Sequence, residues 1–330
     1  GAAPYGTGNT ALPPHSAPPP AATLPGTPPS AQGAALAQMV QHALPGQASI
    51  GAVTGMLAAA LGQVALPEPV LKAARQILGN RLVADGGQVD AIALKSAIRS
   101  SGLFQEAMLA RGAGSSAAAD TKSGLLALQQ GLAQWLGGQT PISQVSQIPP
   151  PLRHVLPRAR VPETVQPDMP GEAEEVGRML LERTEGALSR LRLHQHASLP
   201  DAHRAAESQW SLDLPVVFGG AQAVIQLQIH HDGGNESSVS EDRGWQVRFA
   251  VNLPELGEVG AQISLRGQHT GILLWADREE TALQFSGAIA DLRASLEQAG
   301  LMPGALVVRH GAPSDPQAQP NPGHVVDAMR

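Results

Sequence analysis

The residues whose types best suit chemistry are a few histidines and acid pairs. His230, His231 and Asp232 stand together, and they are donor types that a metal takes. The alternation from Ala223 to Ile229 puts them at the end of a strand, where neighbouring side chains point to opposite faces. The two imidazoles therefore do not converge on one ion. His194 and His196, two apart at a helix end, face different directions. Carboxylate pairs occur at Glu174-Glu175, Glu241-Asp242 and Glu279-Glu280. The first and last fall in helix first turns, where the dipole accounts for them, and the middle pair falls in a polar loop. General acid–base work needs a pocket that perturbs a pKa, and the sequence marks none. No phosphate-cradling glycine loop, zinc-binding H-E-x-x-H or G-x-S-x-G elbow is present. With no cysteine, disulfide scaffolds and thiolate sites are excluded. The expectation is a protein without catalytic, cofactor-binding or metal residues.

The elements around these residues are most legible between 245 and 301. Trp245, Val247, Phe249 and Val251 alternate with polar or small residues, the period of a half-buried strand. Pro254 and Gly257 end it. Further strands are expected around Ile263 and Leu265 and over 272–275, joined by a short hairpin through Gly267 and Gly271. The period then becomes helical. Asp277 and Glu280 are spaced as a capping box, and Phe285, Ile289, Leu292 and Leu296 share one face. Gly300 suits the end of that helix, with Leu301 closing back on Leu296. Upstream, a helix from 171 to about 194 and strands over 211–217 and 223–229 are expected, with Gly219-Gly220 as a hairpin turn. A last strand is expected at 306–308.

Composition separates the two halves. The chain has 330 residues with 28 Pro, 36 Gly and only 3% aromatics, so a large packed core must rest on Leu, Val, Ile and Ala. Residues 1–160 carry ten Lys or Arg against five acids, and residues 161–330 twelve Arg against 23 acids. Neither half has the basic footprint that nucleic acid requires. No run of 18 apolar residues exists, so no membrane insertion is expected. The first residues also lack the basic-then-apolar pattern of a signal peptide.

Taken in order, 1–30 is a proline-rich arm with nothing to bury, expected to be disordered. Residues 31–140 read as short helices, with apolar stripes at Leu36 to Leu44, Val70 to Leu78, Val89 to Ile98 and Leu125 to Trp135; they form a loosely packed bundle or transient helices. Residues 141–170 are a proline-rich linker, 171–310 a compact domain and 311–330 a tail. The fold class is α+β. An antiparallel or mixed sheet with one or two packed helices follows a Pro/Ala/Gly-rich, partly helical, largely disordered N-terminal region.

The run Leu253-Pro254-Glu255-Leu256-Gly257-Glu258-Val259 resembles the L-x-P-x-x-L-G-x-V core of the flagellar hook-length control protein family, here with proline directly after the first leucine. Ala290 to Leu296 and Gly300-Leu301 are similar to that family's closing helix. Ser101-Gly102-Leu103-Phe104-Gln105-Glu106 with Asp120, Lys122, Leu125 and Leu126 resembles a second segment of its longer members. The resemblance implies a non-enzymatic protein that limits hook length and switches type III export from hook to filament substrates. It implies the cytoplasmic domain of the export gate as partner of the C-terminal domain, and hook and hook-cap subunits as partners of the N-terminal region. It also implies a cytoplasmic protein that is then exported, acting as a monomer. Leu253, Leu256, Gly257 and Val259 either shape the strand end and turn or, as the resemblance implies, form a docking surface. Two alternatives remain open: a peptide-binding adaptor unrelated to export, and the equivalent length-control protein of a virulence injectisome.

Overall fold

The computed structural model describes residues 1, 31–84, 88–138, 148–153, 155–159, 172–200, 207–233 and 244–313. The proline-rich arm expected before 31, the linker segments 141–147 and 160–170, the loop 234–243 with Glu241-Asp242, and the tail from 314 lie outside the described residues.

Helices come first. α1 (Ala31–Ala43) stops ahead of Pro45-Gly46. α2 (Ile50–Ala60) starts where the Ser49 hydroxyl accepts the Gly51 N–H at 3.1 Å, satisfying a donor that the first turn cannot pair internally. α3 (Glu68–Gly79) begins with proline in its first turn, where a missing N–H costs nothing. A short strand β1 (Leu82–Ala84) follows. α4 (Ala91–Arg99) is capped by Asp90, and α5 (Gln105–Ala110) and α6 (Gly114–Ala118) are single turns or little more. α7 (Thr121–Trp135) is capped by Asp120, whose carboxylate accepts the Ser123 N–H at 2.8 Å. α8 (Ala173–Ala197) carries Glu174 and Glu175 in its first turn.

These helices close on one another. Val53, Met56 and Leu57 of α2, Val70 and Ile77 of α3, Leu128 and Leu132 of α7, and Val176, Leu180 and Leu188 of α8 form one apolar core. Each buried Leu or Ile there contributes about 1.5–3 kcal/mol. The expected boundary between 140 and 171 therefore runs through a continuous core. The helices are joined to the C-terminal unit rather than set apart as a loose bundle. α2 had no expected counterpart. Eight of its 11 residues are buried, so it is apolar all round and has no stripe for periodicity to detect.

Among the described residues the sheet has seven strands in sequence order, β1 to β7. β2 (Glu207–Phe218), β3 (Ala221–Asp232), β4 (Gly244–Leu253), β5 (Gly257–Arg266) and β6 (His269–Ala276) are antiparallel neighbours. β1 joins β2 and β7 (Met302–His310) joins β6 in parallel, so the sheet is mixed and the α+β expectation holds. Phe218 pairs with Ala221 across Gly219 and Gly220, whose φ values are 55° and 84°. A two-residue turn of that hand matches the strand twist, and glycine reaches it without strain.

Register divides the residues between two faces. Trp210, Leu212 and Leu214 pair with Ile229, Leu227 and Ile225, and Phe249 and Val251 with Ala261 and Val259; this face is apolar. Ala97 and Leu103 from the α4 region, and Ala282 and Phe285 from α9 (Glu279–Gly287), pack into the same cluster. The opposite face presents Ser211, Asp213, Gln226, Gln228 and Arg248, and α8 and α2 lie on its β2–β3 end. Two expectations are corrected at the C-terminal helix. It is broken at Ala288 into α9 and α10 (Ile289–Gln298), because Gly287 weakens the helix there and Ile289, Leu292 and Leu296 are only half-buried. The Asp277–Glu280 capping box is absent. Arg278 is the N-cap and makes no side-chain cap bond, since Asp277 still belongs to the strand end, its N–H donating to Glu258 O at 2.9 Å. At the far end Gly300 N and Leu301 N donate to Glu297 O and Leu296 O, both at 3.0 Å, the paired bonds of a Schellman close.

Candidate functional site

The residues singled out in the sequence gather at one corner of the sheet. Leu253 ends β4 and pairs with Gly257, which starts β5 after the turn Pro254-Glu255-Leu256. Gly257 has φ 75°, and a Cβ there would stand 2.9 Å from Arg278 Nε and overlap the Asp277 carboxylate. The start of α9 is stitched to this turn. Arg278 Nη1 donates to Glu255 O at 2.7 Å, and the Thr281 hydroxyl donates to Leu256 O at 2.9 Å. Leu253 is 8% exposed and Val259 6%, so both side chains lie in the apolar core with Ala276 and Ala282. Leu256 is half-buried, and Pro254 and Glu255 are exposed. The corner therefore joins both readings in one place: Leu253 and Val259 hold it from inside, while Pro254, Glu255 and the edge of Leu256 face outward.

A second constellation was missed in the sequence. On the polar face, Arg190 Nε donates to Asp213 Oδ2 at 2.5 Å, and His194 Nε2 lies 3.2 Å from Asp213 Oδ1. His194 Nδ1 lies 3.0 Å from Ser211 Oγ. All four residues lie between α8 and β2, with Arg190 also donating to Gln47 Oε1 at 2.8 Å. Burial alone would raise the Asp213 carboxyl, but the Arg190 guanidinium and the His194 imidazole beside it outweigh burial and hold it well below the usual carboxylate range. A histidine between a serine and an aspartate has the order of a nucleophilic triad. Here the acid's other oxygen is held by a guanidinium, and the serine is 3% exposed. The cluster does structural work, giving buried charges their partners. Helical i, i+4 spacing of Arg190 and His194, facing Asp213 on an alternating strand, is the signal that could have found it.

The other chemistry-bearing residues are dispersed. His230 lies 3.5 Å from Glu207, and the His231 ring sits tilted against Trp245 with centroids 4.3 Å apart, so the two point to opposite faces of β3. Among the described residues no three His, Asp or Glu side chains gather as a metal would need, and no helix is long and apolar enough to cross a membrane.

Comparison with known proteins bears on the corner directly. Residues 233–317 match the family model described as flagellar hook-length control protein FliK. The match covers β4 to β7, and with it the resemblance read from the C-terminal sequence is shown. The similar segment at 101–126 lies outside it. No curated protein and no solved structure matches the chain.

Proposed function

We propose, from the premise that residues 233–317 carry a flagellar hook-length control domain, that this chain limits hook length and switches type III export from hook to filament substrates. That match is the observation which carries the reading. The C-terminal sheet docks on the cytoplasmic domain of the export gate, with the β4–β5 corner as its contact. Leu253, Gly257 and Val259 set the turn's shape, and Leu256 with Pro254 and Glu255 meets the gate. The N-terminal region passes into the growing hook and meets hook and hook-cap subunits. The chain thus begins in the cytoplasm and ends outside the cell.

Reach supports a length-measuring role for the N-terminal part. Residues 1–170 span roughly 250 Å as continuous helix and about 560–610 Å fully extended. Because α2, α3 and α7 share a core with α8, measuring requires them first to leave α8.

The test is capture of the gate's cytoplasmic domain by the full chain, beside Leu256→Asp and Glu255→Lys variants checked for folding by circular dichroism. Folded variants that lose capture place the contact at the corner. Failure of the wild-type chain to capture the gate domain removes the switch. Lengthening the chain ahead of residue 31 is expected to lengthen hooks, and unchanged hooks would remove the measuring role.

A further inference from the structure

The segment 148–159 was expected to be a plain linker. Its described residues form neither helix nor strand and lie as a strap against the polar side of the sheet. Its attachments share one chemistry. Gln47 Nε2 donates to Ile148 O at 2.8 Å, Arg190 Nη1 to Pro149 O at 3.1 Å, and Gln228 Nε2 to Leu152 O at 3.3 Å. Three side chains, from the α1–α2 loop, α8 and β3, therefore bind main-chain carbonyls at and on either side of the Pro149-Pro150-Pro151 run. Further along, Arg158 forms two bonds with Glu258, at 2.9 and 3.0 Å, and Ala159 N donates to the same carboxylate at 3.1 Å.

Burial is uneven across this contact. Gln47, Arg190, Gln228 and Glu258 are all buried, whereas Pro157 is the only buried residue among the strap's described ones. Leu152 is 53% exposed, and the Arg158 side chain 62%. With the strap in place the floor's polar groups are enclosed and each needs a partner, while the strap's outer side stays open to solvent. The strap leaves beneath it a cavity of about 200 Å³, bordered by Leu156, Pro157, Ser211 and Gln228. Proline offers a carbonyl and no N–H and holds an extended backbone. A floor that supplies donors to carbonyls flanking a proline run and then a carboxylate is thus matched to an extended proline-rich peptide ending in a cation.

We propose that this groove is a peptide-binding site and that residues 148–159 occupy it from within the chain. The partner it fits is an extended, proline-rich segment with an arginine beyond the prolines, and binding displaces the strap. Contacts to main-chain carbonyls read shape rather than sequence, so a partner segment replaces the strap without copying it residue for residue. Tethering gives the strap an effective concentration on the order of millimolar, which keeps the site closed until a partner competes. This site adjoins the β4–β5 corner through Glu258, which stands between Gly257 and Val259 but on the opposite face of the sheet from Val259, and it does not rest on the export reading.

The probe is a fluorescein-labelled peptide with the sequence of residues 148–159, titrated by anisotropy against the full chain. Arg158→Ala in the protein loosens the strap and leaves Glu258 free to take the peptide's arginine. That variant is expected to bind the peptide at least about tenfold more tightly than the wild type, because the competing state is depopulated. A second peptide with the same arginine changed to alanine is expected to lose most of this affinity, and this comparison changes nothing in the protein. Equal affinity of wild type and Arg158→Ala, or equal binding of the two peptides, would overturn the proposal.

Discussion

Gly186 of α8 faces Ala48 so closely that a methyl group on the glycine would stand 2.5 Å from the Ala48 side chain and 2.9 Å from its backbone nitrogen. A second glycine on the same helix, Gly177, lies under the Trp135 ring, 2.5 Å from where a Cβ would be. Both contacts join the N-terminal helices to α8.

This closeness gives Gly186→Ala a sign that depends on the fold. On an unpacked helix the change stabilises by up to about 1 kcal/mol. In the packed arrangement it is expected to destabilise by about 1–3 kcal/mol, because the neighbour is backbone and cannot move aside cheaply. Urea unfolding of the full chain reads the sign directly. A stabilised variant would mean that residues 31–136 do not dock on α8.

Asp213 provides a pH test. Its folded pKa lies below the unfolded value of about 3.9, so its contribution is complete above that value and is lost as pH falls through the folded one. Wild-type stability is expected to drop below about pH 4, and Asp213→Asn to flatten that part of the profile. At pH 7 the same variant strands the buried Arg190 and is expected to lose about 3–5 kcal/mol. An unchanged acid slope in the variant would exclude Asp213 as the group responsible.

At the other end of the sheet, Trp275 packs against Gly260. A Cβ on Gly260 would overlap the indole ring and stand 2.8 Å from Phe249 O. Gly260→Ala is expected to cost about 1–3 kcal/mol or more and to shift the tryptophan emission, since Trp275 is buried. Wild-type stability together with an unshifted spectrum would contradict this packing.

Corner variants are expected to divide by burial. Val259→Asp puts a charge in the core and is expected to lower stability by several kcal/mol, so loss of gate binding there would report unfolding. Glu255→Lys, on an exposed residue, is expected to stay within about 0.5 kcal/mol of wild type. Thermal melts of the two variants separate the cases, and comparable losses would show that the corner is packed otherwise.

The C-terminal elements were legible because each has a clean local signal. Trp245 to Val251 alternate, Gly219-Gly220 and Gly267 mark tight turns, and Phe285 to Leu296 share a face that the structure keeps least exposed. β1 was not legible, because three residues carry no period. α2 was not, because burial on every side erases the polar stripe that reveals a helix. The strap was read as a linker because its prolines exclude helix and interior strand, and nothing local says what such a segment lies against.

The sequence by itself determined the α+β class, the order of most strands, the α8 span and the family likeness at 253–259. These follow from short-range rules of side-chain period, turn chemistry and capping. Only the tertiary structure decided that the N-terminal helices share a core with α8, that Arg190 and His194 meet Asp213, and that Arg158 reaches Glu258 a hundred positions away. Those contacts join residues distant in the chain, and their energy depends on burial and partner geometry that exist only once the sheet and helices have closed together.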